Sequence, residues 1–162
     1  MTKIDFYILA QDSHRSVEQL TCQLTEKAYK QNNFIYIQTQ SVEQANNLDE
    51  LLWKFKANSF IPHKNMVNQT SGLTEQQIDN FAYPILINTA EFLAKEALAT
   101  GEYNPENKAE LLINLSDKTN DFFSSFQRLV EIVSKNEQSK QAARIRFRFY
   151  KDRGYEISTH NV

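Results

Sequence analysis

Four basic side chains recur at a spacing that places them along one face of a helix. They are Lys140, Arg144, Arg148 and Lys151, at positions i, i+4, i+8 and i+11. Ammonium and guanidinium groups bind carboxylates and phosphates, and a guanidinium can do so through two parallel hydrogen bonds. Between residues 140 and 153 only Asp152 offsets the basic residues, so we expect this positive face to act on a ligand.

Apolar side chains lie next to this basic stripe, namely Ala143, Phe147 and Tyr150. A cationic face that borders an apolar pocket suits an acidic peptide with a hydrophobic end. Nucleic-acid phosphate is a competing ligand, but these aromatics lie within a helix pattern and the formal net charge of the chain is -2. A solvated helix face without a ligand is the third interpretation, because most surface charges have no binding role.

Residues 48–63 are the second segment that could bind a partner, and they contain the only tryptophan of the chain. Leucines at 48, 51 and 52 predict an amphipathic helix that ends before Pro62, because the residue preceding a proline is disfavoured in helical geometry. The segment also holds three large aromatics, Trp53, Phe55 and Phe60. Flat aromatics beside a rigid turn are typical of a protein-docking surface. Burial of Trp53 and Phe60 in the core is the alternative.

Cofactor and metal motifs are missing from the sequence. Its three glycines can form neither a Gly-x-Gly-x-x-Gly turn nor a glycine-rich phosphate loop. His14, His63 and His160 are far apart along the chain, and Cys22 is the only cysteine. We therefore expect no cofactor, no metal site and no internal disulfide.

Two groups of neighbouring residues could suggest catalysis. Residues 12–14 place an acid, a hydroxyl and an imidazole side by side, but catalytic triads are assembled in space, and a loop with a helix cap explains these residues better. Asp49 and Glu50 are adjacent on a predicted helix, where their side chains diverge by about 100°, which is typical of a solvated helix face. We expect no catalytic site, and a nucleotide-dependent enzyme is the least supported hypothesis.

The elements that must position these residues alternate between strands and helices. Strands are predicted at 4–9, 34–37, 84–87, 111–115 and 129–133, and helices at 17–28, 41–52 and 136–153. Ser41 with Gln44 forms a capping-box pattern at one helix start, and Gly154 is placed to end the last helix. This order predicts an α/β fold: a Rossmann-like, three-layer, open and mostly parallel sheet with helices on both faces and no phosphate-binding glycine loop.

One domain is expected to span residues 1–162, because 162 residues with 41% hydrophobic composition suit a single core. The amide-rich residues 64–81 and residues 89–110, with a helix pattern at 90–100, are interpreted as surface insertions. The first residues alternate like a strand and lack the features of a secretion signal. No apolar stretch approaches the ~20 residues of a membrane span. We expect a soluble, cytoplasmic protein that does not bind membranes.

Five segments resemble, in the same order, the chi subunit family of the bacterial DNA polymerase III clamp-loader assembly. They are residues 4–9, 48–53 (LDELLW), 59–63 (SFIPH), 112–115 and 141–155. The resemblance covers the chain nearly end to end. It implies a non-enzymatic accessory subunit with a Rossmann-like fold, which pairs with the psi subunit and binds the acidic, phenylalanine-ended C-terminal tail of single-stranded DNA-binding protein.

The resemblance also implies which residues bind that tail. The tail-binding positions of the family fall on Lys140 and Arg144, with Val133 and Phe147 at the matching apolar places, and Arg148 continues the basic stripe beside them. Phe147 replaces the tyrosine that is expected there. A hydrogen bond from that hydroxyl would be lost, while the apolar wall would remain.

The docking positions of the family, for psi and for an accessory helicase that competes with psi, fall on Trp53 and Phe60, with Phe55 and Pro62 beside them. The leading hypothesis is therefore an adaptor between the clamp loader and DNA coated by its binding protein, with only indirect contact to nucleic acid. A module that binds nucleic acid directly through the C-terminal basic helix is the alternative.

Overall fold

A computed structural model describes residues 1–56, 61–67, 84–89 and 110–162 of the chain. Within these ranges the elements are β1 (Lys3–Ile8), α1 (Val17–Lys30), β2 (Ile35–Thr39), α2 (Val42–Lys54), β3 (His63–Asn65), β4 (Ile85–Thr89), β5 (Leu111–Asn114), a 3-10 turn (Phe123–Ser125), β6 (Arg128–Val133), α3 (Glu137–Asp152) and β7 (Ile157–Asn161). The helices begin and end within about two residues of the predicted positions.

The strands form a seven-stranded sheet in the order β3-β4-β2-β5-β6-β1-β7, and every pair of neighbours is parallel. The predicted α/β class and open parallel sheet are therefore confirmed. Two strands were not predicted, β3 and β7, and they lie at the two edges. Their residues, His-Lys-Asn and Ile-Ser-Thr-His-Asn, are mostly polar, because an edge strand needs less apolar surface than a central one.

Helices cover the two faces of this sheet, which gives the three predicted layers. Alternate residues of a strand point to opposite faces. In β2, Ile35 and Ile37 belong to an apolar cluster with α1 and α2, whereas Tyr36 belongs to a second cluster with α3. The sheet thus separates α2 from α3, the two helices that carry the predicted binding residues.

Each helix starts at a side chain that accepts a hydrogen bond from a backbone N–H in the first turn. The pairs are Ser16 with Gln19 (3.1 Å), Ser41 with Gln44 (3.1 Å) and Asn136 with Ser139 (2.7 Å). At α2 the Gln44 side chain accepts from the N–H of Gln40 at 2.8 Å, so the capping box predicted there is only half formed. Gly154 follows α3 with a φ of +81°, as a helix terminator does.

The predicted insertions lie mostly outside the described residues, as does the helix pattern at 90–100. At their ends, Lys64 and Asn65 belong to β3, Thr89 ends β4, and Glu110 leads into β5. These residues are therefore part of the sheet or adjoin it. The extent of the insertions and the single-domain organisation stay predictions.

Candidate protein-binding sites

The basic stripe predicted from the sequence lies along α3 and faces water. Arg144, Arg148 and Lys151 are exposed, and Lys140 is half-buried near the helix start. Arg144 pairs with Glu137, whose Oε1 lies 3.4 Å from its Nη1, and the two side chains are 69% and 65% exposed. An ion pair this exposed is weak, so Arg144 can exchange Glu137 for another carboxylate.

Arg146 does not belong to this exposed charge, because it points into the protein. Its Nε donates to Glu131 Oε2 at 3.0 Å and its Nη1 donates to the Asp117 carbonyl at 3.0 Å. The prediction that only Asp152 offsets the basic residues of this helix was therefore wrong, since the buried carboxylate of β6 neutralises Arg146. The outward field of α3 is smaller than its composition indicates.

Glu131 is completely buried and is bonded on every side. Besides Arg146, it accepts from the Tyr150 hydroxyl at 2.7 Å and from Asn114 Nδ2 at 3.1 Å. Burial raises the pKa of Glu131, while the Arg146 charge and the hydrogen bonds oppose that rise. Burial and the Glu131 charge both raise the pKa of Tyr150, which stays a hydrogen-bond donor. This cluster fixes α3 against the sheet.

The apolar residues predicted beside the stripe differ in exposure, and Ala143 and Tyr150 are buried in the core, so they do not line a pocket for a ligand. Phe147 is partly buried and packs edge-to-face on Phe6, with ring centroids 5.4 Å apart. Val133 is only 2% exposed and belongs to the same apolar cluster. Val133 therefore offers almost no surface to a ligand, whereas Phe147 keeps part of its ring accessible; Ile145, at 73% exposure, is the most exposed apolar side chain of α3.

A buried polar network closes the carboxyl ends of β2 and β5, where parallel α/β sheets commonly bind ligands. Gln38 Nε2 donates to Asn114 Oδ1 at 3.2 Å and to Ser116 Oγ at 2.9 Å. Asn120 Nδ2 donates to Gln38 Oε1 at 2.6 Å. Sequence reasoning missed this network and Glu131. The available signal was a polar residue next to the apolar run of each of three strands: Gln38 in β2, Asn114 at the end of β5 and Glu131 in β6.

A crevice of about 400 Å³ lies above this network, between the starts of the three helices. Its charged lining residues are Glu18 and Asp117, both acidic. A phosphate group there would face two carboxylates, which electrostatic repulsion disfavours. Elsewhere in the described residues, no three His, Cys, Asp or Glu side chains converge as a metal ion would require.

The aromatic corner predicted for docking lies at the end of α2. Trp53 is 48% exposed, so the alternative that it is a core residue was wrong. Phe55 and Pro62 are partly buried. Phe60 lies outside the described residues, and its place in this corner stays a prediction.

A buried histidine supports Trp53 from below. The His63 ring centroid lies 4.4 Å from the indole centroid, and its Nε2 lies 2.9 Å from Asp49 Oδ1. Asp49 thus has a structural partner and is not simply part of a solvated helix face, as had been expected for the pair Asp49 and Glu50. Glu50 fits that expectation, because it is exposed and pairs with Lys54 at 2.6 Å.

None of the helices in the described residues is long and apolar enough to span a bilayer. Residues 1–158 match the family model described as "DNA polymerase III chi subunit, HolC". The chain is similar to three proteins named DNA polymerase III subunit chi. The protein from Pseudomonas aeruginosa is 33% identical over 162 residues, which cover 100% of this chain and 98% of that protein. The protein from Haemophilus influenzae is 31% identical over 97% of this chain and 95% of its own length, and that from Escherichia coli is 26% identical over 98% and 97%.

These matches run through every described element of the sheet and through both segments that carry the exposed basic stripe and the aromatic corner. They confirm the resemblance found in the sequence. The chain belongs to the chi subunit family of DNA polymerase III.

Proposed function

We propose that this chi-family chain is a non-catalytic adaptor of the replicative DNA polymerase III. It links the clamp loader, through the psi subunit, to the acidic tail of single-stranded DNA-binding protein. Family membership supports the coarser role, that of an accessory subunit in replication. One observation carries the proposal that the chain links two partners: two exposed surfaces of different chemistry, one basic and one aromatic, lie on helices that the sheet separates.

The basic stripe of α3 is the proposed tail-binding surface. Arg144 grips an acidic side chain or the terminal carboxylate after it leaves Glu137, and Lys140 and Arg148 add positive charge. Neither Lys140 nor Arg148 has a carboxylate partner among the described residues. Phe147 gives the phenylalanine of the tail an apolar contact, with Val133 packed in the cluster beneath.

The aromatic corner is the proposed docking surface for psi or for a helicase that competes with psi. A half-exposed tryptophan is the side chain that most often dominates a protein interface, because it buries a large area with few rotatable bonds. Phe60, Phe55 and Pro62 complete the proposed surface. The family relationship supports this role for Trp53 and Phe60.

Simultaneous capture of both partners tests the adaptor. The chain is bound to an immobilised acidic peptide that ends in phenylalanine, and purified psi subunit is then added. We expect psi to be retained without release of the chain from the peptide. Release of the chain from the peptide when psi is added would contradict the proposal of two separate sites. The proposal would also be contradicted if the bound chain retained neither psi nor a helicase.

Binding to a bare oligonucleotide tests the alternative. An adaptor should bind the oligonucleotide weakly, whereas a nucleic-acid module should bind it tightly and lose affinity steeply with salt as counterions are released. Binding of the tail peptide should weaken only modestly with salt, because a few ion pairs are screened while the apolar contact is not.

A further inference from the structure

His63 is held at both nitrogens of its ring. Nδ1 lies 2.7 Å from the Ile61 carbonyl oxygen, and Nε2 lies 2.9 Å from Asp49 Oδ1 and 3.1 Å from the Asp49 carbonyl oxygen. The His63 side chain is 0% exposed. Since the ring is buried and an oxygen lies within hydrogen-bond distance of each nitrogen, the ring cannot rotate or flip without breaking one of these contacts. The His63 ring is therefore held in one orientation at the edge of the sheet, in β3.

The His63 ring packs against the indole of Trp53. Asp49 and Trp53 are four residues apart in α2, so they lie on the same face of the helix, one turn from each other. The carboxylate of Asp49 holds the His63 ring, and the ring packs against the indole at 4.4 Å with an interplanar angle of 44°. The imidazole supports the indole while about half of the Trp53 side chain stays accessible.

We propose that His63 and Asp49 are positioning residues, which hold the indole of Trp53 in the orientation that the docking partner meets. The inference rests on the proposed docking role of Trp53. An exposed side chain that is ordered before binding loses less conformational entropy when the partner arrives. Without the His63 ring in this position, Trp53 samples more rotamers and the partner must select one of them. The pair thus raises affinity without touching the partner.

Fluorescence of the free protein tests the positioning directly, because Trp53 is the only tryptophan in the chain. We expect Asp49→Asn and His63→Asn to lower the anisotropy of Trp53 emission and to increase its quenching by acrylamide. Glu50→Gln is the matched control, since it removes the neighbouring carboxylate of α2 and leaves the His63 contact intact. Unchanged anisotropy and quenching in both variants would overturn the proposal.

A double-mutant cycle with purified psi subunit tests the consequence for binding. Asp49→Asn should weaken psi binding roughly three- to tenfold in the parent, on the scale expected for one immobilised side chain. It should have no further effect in a Trp53→Leu background, which lacks the indole but keeps an apolar side chain so that residual binding can be measured. An equal loss in both backgrounds would overturn the proposal, because the effect would not pass through Trp53. A variant that has lost its fold is identified by a lower melting temperature and by lost tail-peptide affinity. If His63→Asn fails in this way, the result for Asp49→Asn decides whether the proposal holds, because Asp49 is at a partly exposed position.

Different results would contradict the docking function of Trp53 and the positioning role of His63 and Asp49. If Trp53→Ala leaves both psi and helicase binding intact, the proposed docking function is wrong, whatever the fluorescence shows. If Trp53→Ala abolishes docking and the Asp49 and His63 variants leave both emission and affinity unchanged, the docking function holds and the positioning role is wrong.

Discussion

Arg146 on α3 donates a hydrogen bond to Glu131 on β6 across 3.0 Å, with side chains that are only 4% and 0% exposed. This pair sets which face of α3 meets the sheet. Arg144 and Arg148 are each two residues from Arg146, about 200° around the helix, so they point away from the sheet when Arg146 points toward it. A buried charge on the helix therefore helps to expose the charges that are proposed to bind the tail.

Breaking this pair should unfold the protein more easily. We expect Arg146→Met to lower the free energy of unfolding by about 3–5 kcal/mol, because Glu131 is left as a buried charge without its cation. Arg148→Met, an exposed change on the same helix, should stay within about 0.5 kcal/mol of the parent. Urea denaturation measures both, and equal stability of the two variants would show that the buried pair does not hold α3.

Removing Arg144 should weaken the tail peptide more than removing Lys140. Calorimetric titration should give a loss of about 1.5–3 kcal/mol for Arg144→Ala, the scale of a hydrogen bond to a charged group. Lys140→Ala should lose less, because lysine offers a point charge and not a two-pronged donor. Glu137→Gln should bind slightly tighter than the parent, since Arg144 then has no competing carboxylate at 3.4 Å. Unchanged affinity in Arg144→Ala would remove the proposed site.

The two surfaces should respond independently. Trp53→Ala and Phe60→Ala should abolish capture of psi or a helicase and leave tail-peptide affinity within about 0.5 kcal/mol of the parent, as is usual for distant sites. Thermal melts should show little change for Trp53→Ala, because the side chain is half exposed. A large drop in melting temperature together with loss of tail binding would mean that the substitution damages the fold.

Cys22 should be inert in the folded protein. Its thiol is fully buried in α1, and burial, followed by the charge of Glu18, raises its pKa to about 12. Thiolate is the reactive form, so a thiol-specific reagent should label Cys22 only when the protein unfolds. The labelling rate should rise with urea in parallel with the loss of helical circular dichroism. Rapid labelling without denaturant would contradict the burial.

Stability should fall in acid partly because of Asp5. Burial raises the pKa of Asp5, but hydrogen bonds from His160 and Arg128, at 2.9 and 2.7 Å, outweigh it and lower the pKa below its ordinary value. Asp5 therefore stabilises the fold above the ordinary aspartate pKa, and this contribution is lost as pH falls through the lowered value. Urea denaturation from about pH 6 down to about pH 3 measures the free energy of unfolding. This free energy should decline less steeply for Asp5→Asn than for the parent. An equal slope would exclude this contribution.

The sequence was sufficient for the central part of the fold. Ser41 and Gly154 marked helix ends correctly, because capping depends on a few local residues. The edge strands were missed, since His63–Asn65 lacks the apolar pattern that identifies a strand. Their pairing depends on neighbours far away in the chain.

The site was predictable in type and less so in detail. The spacing of Arg144 and Arg148 placed them on one face of α3, as the structure shows. Arg146 carries the same charge, and composition alone could not show that it turns inward to Glu131. The contact between Asp49 and His63 also depends on tertiary structure, because fourteen positions separate the two residues and only the sheet brings β3 beside α2.

The position of β1 in the sheet limits how the chain can fold during its synthesis. β1 lies between β6 and β7, so that Ile4 pairs with Leu129 on one side and with Ile157 on the other. Both neighbours are made more than a hundred residues later, and pairing over such separations is slow. The first strand must therefore wait, with Phe6 unburied, until residues 128–161 have left the ribosome. Until then its two open edges are exposed to pairing with other chains, and a ribosome-associated chaperone that covers β1 would have the most effect during this interval.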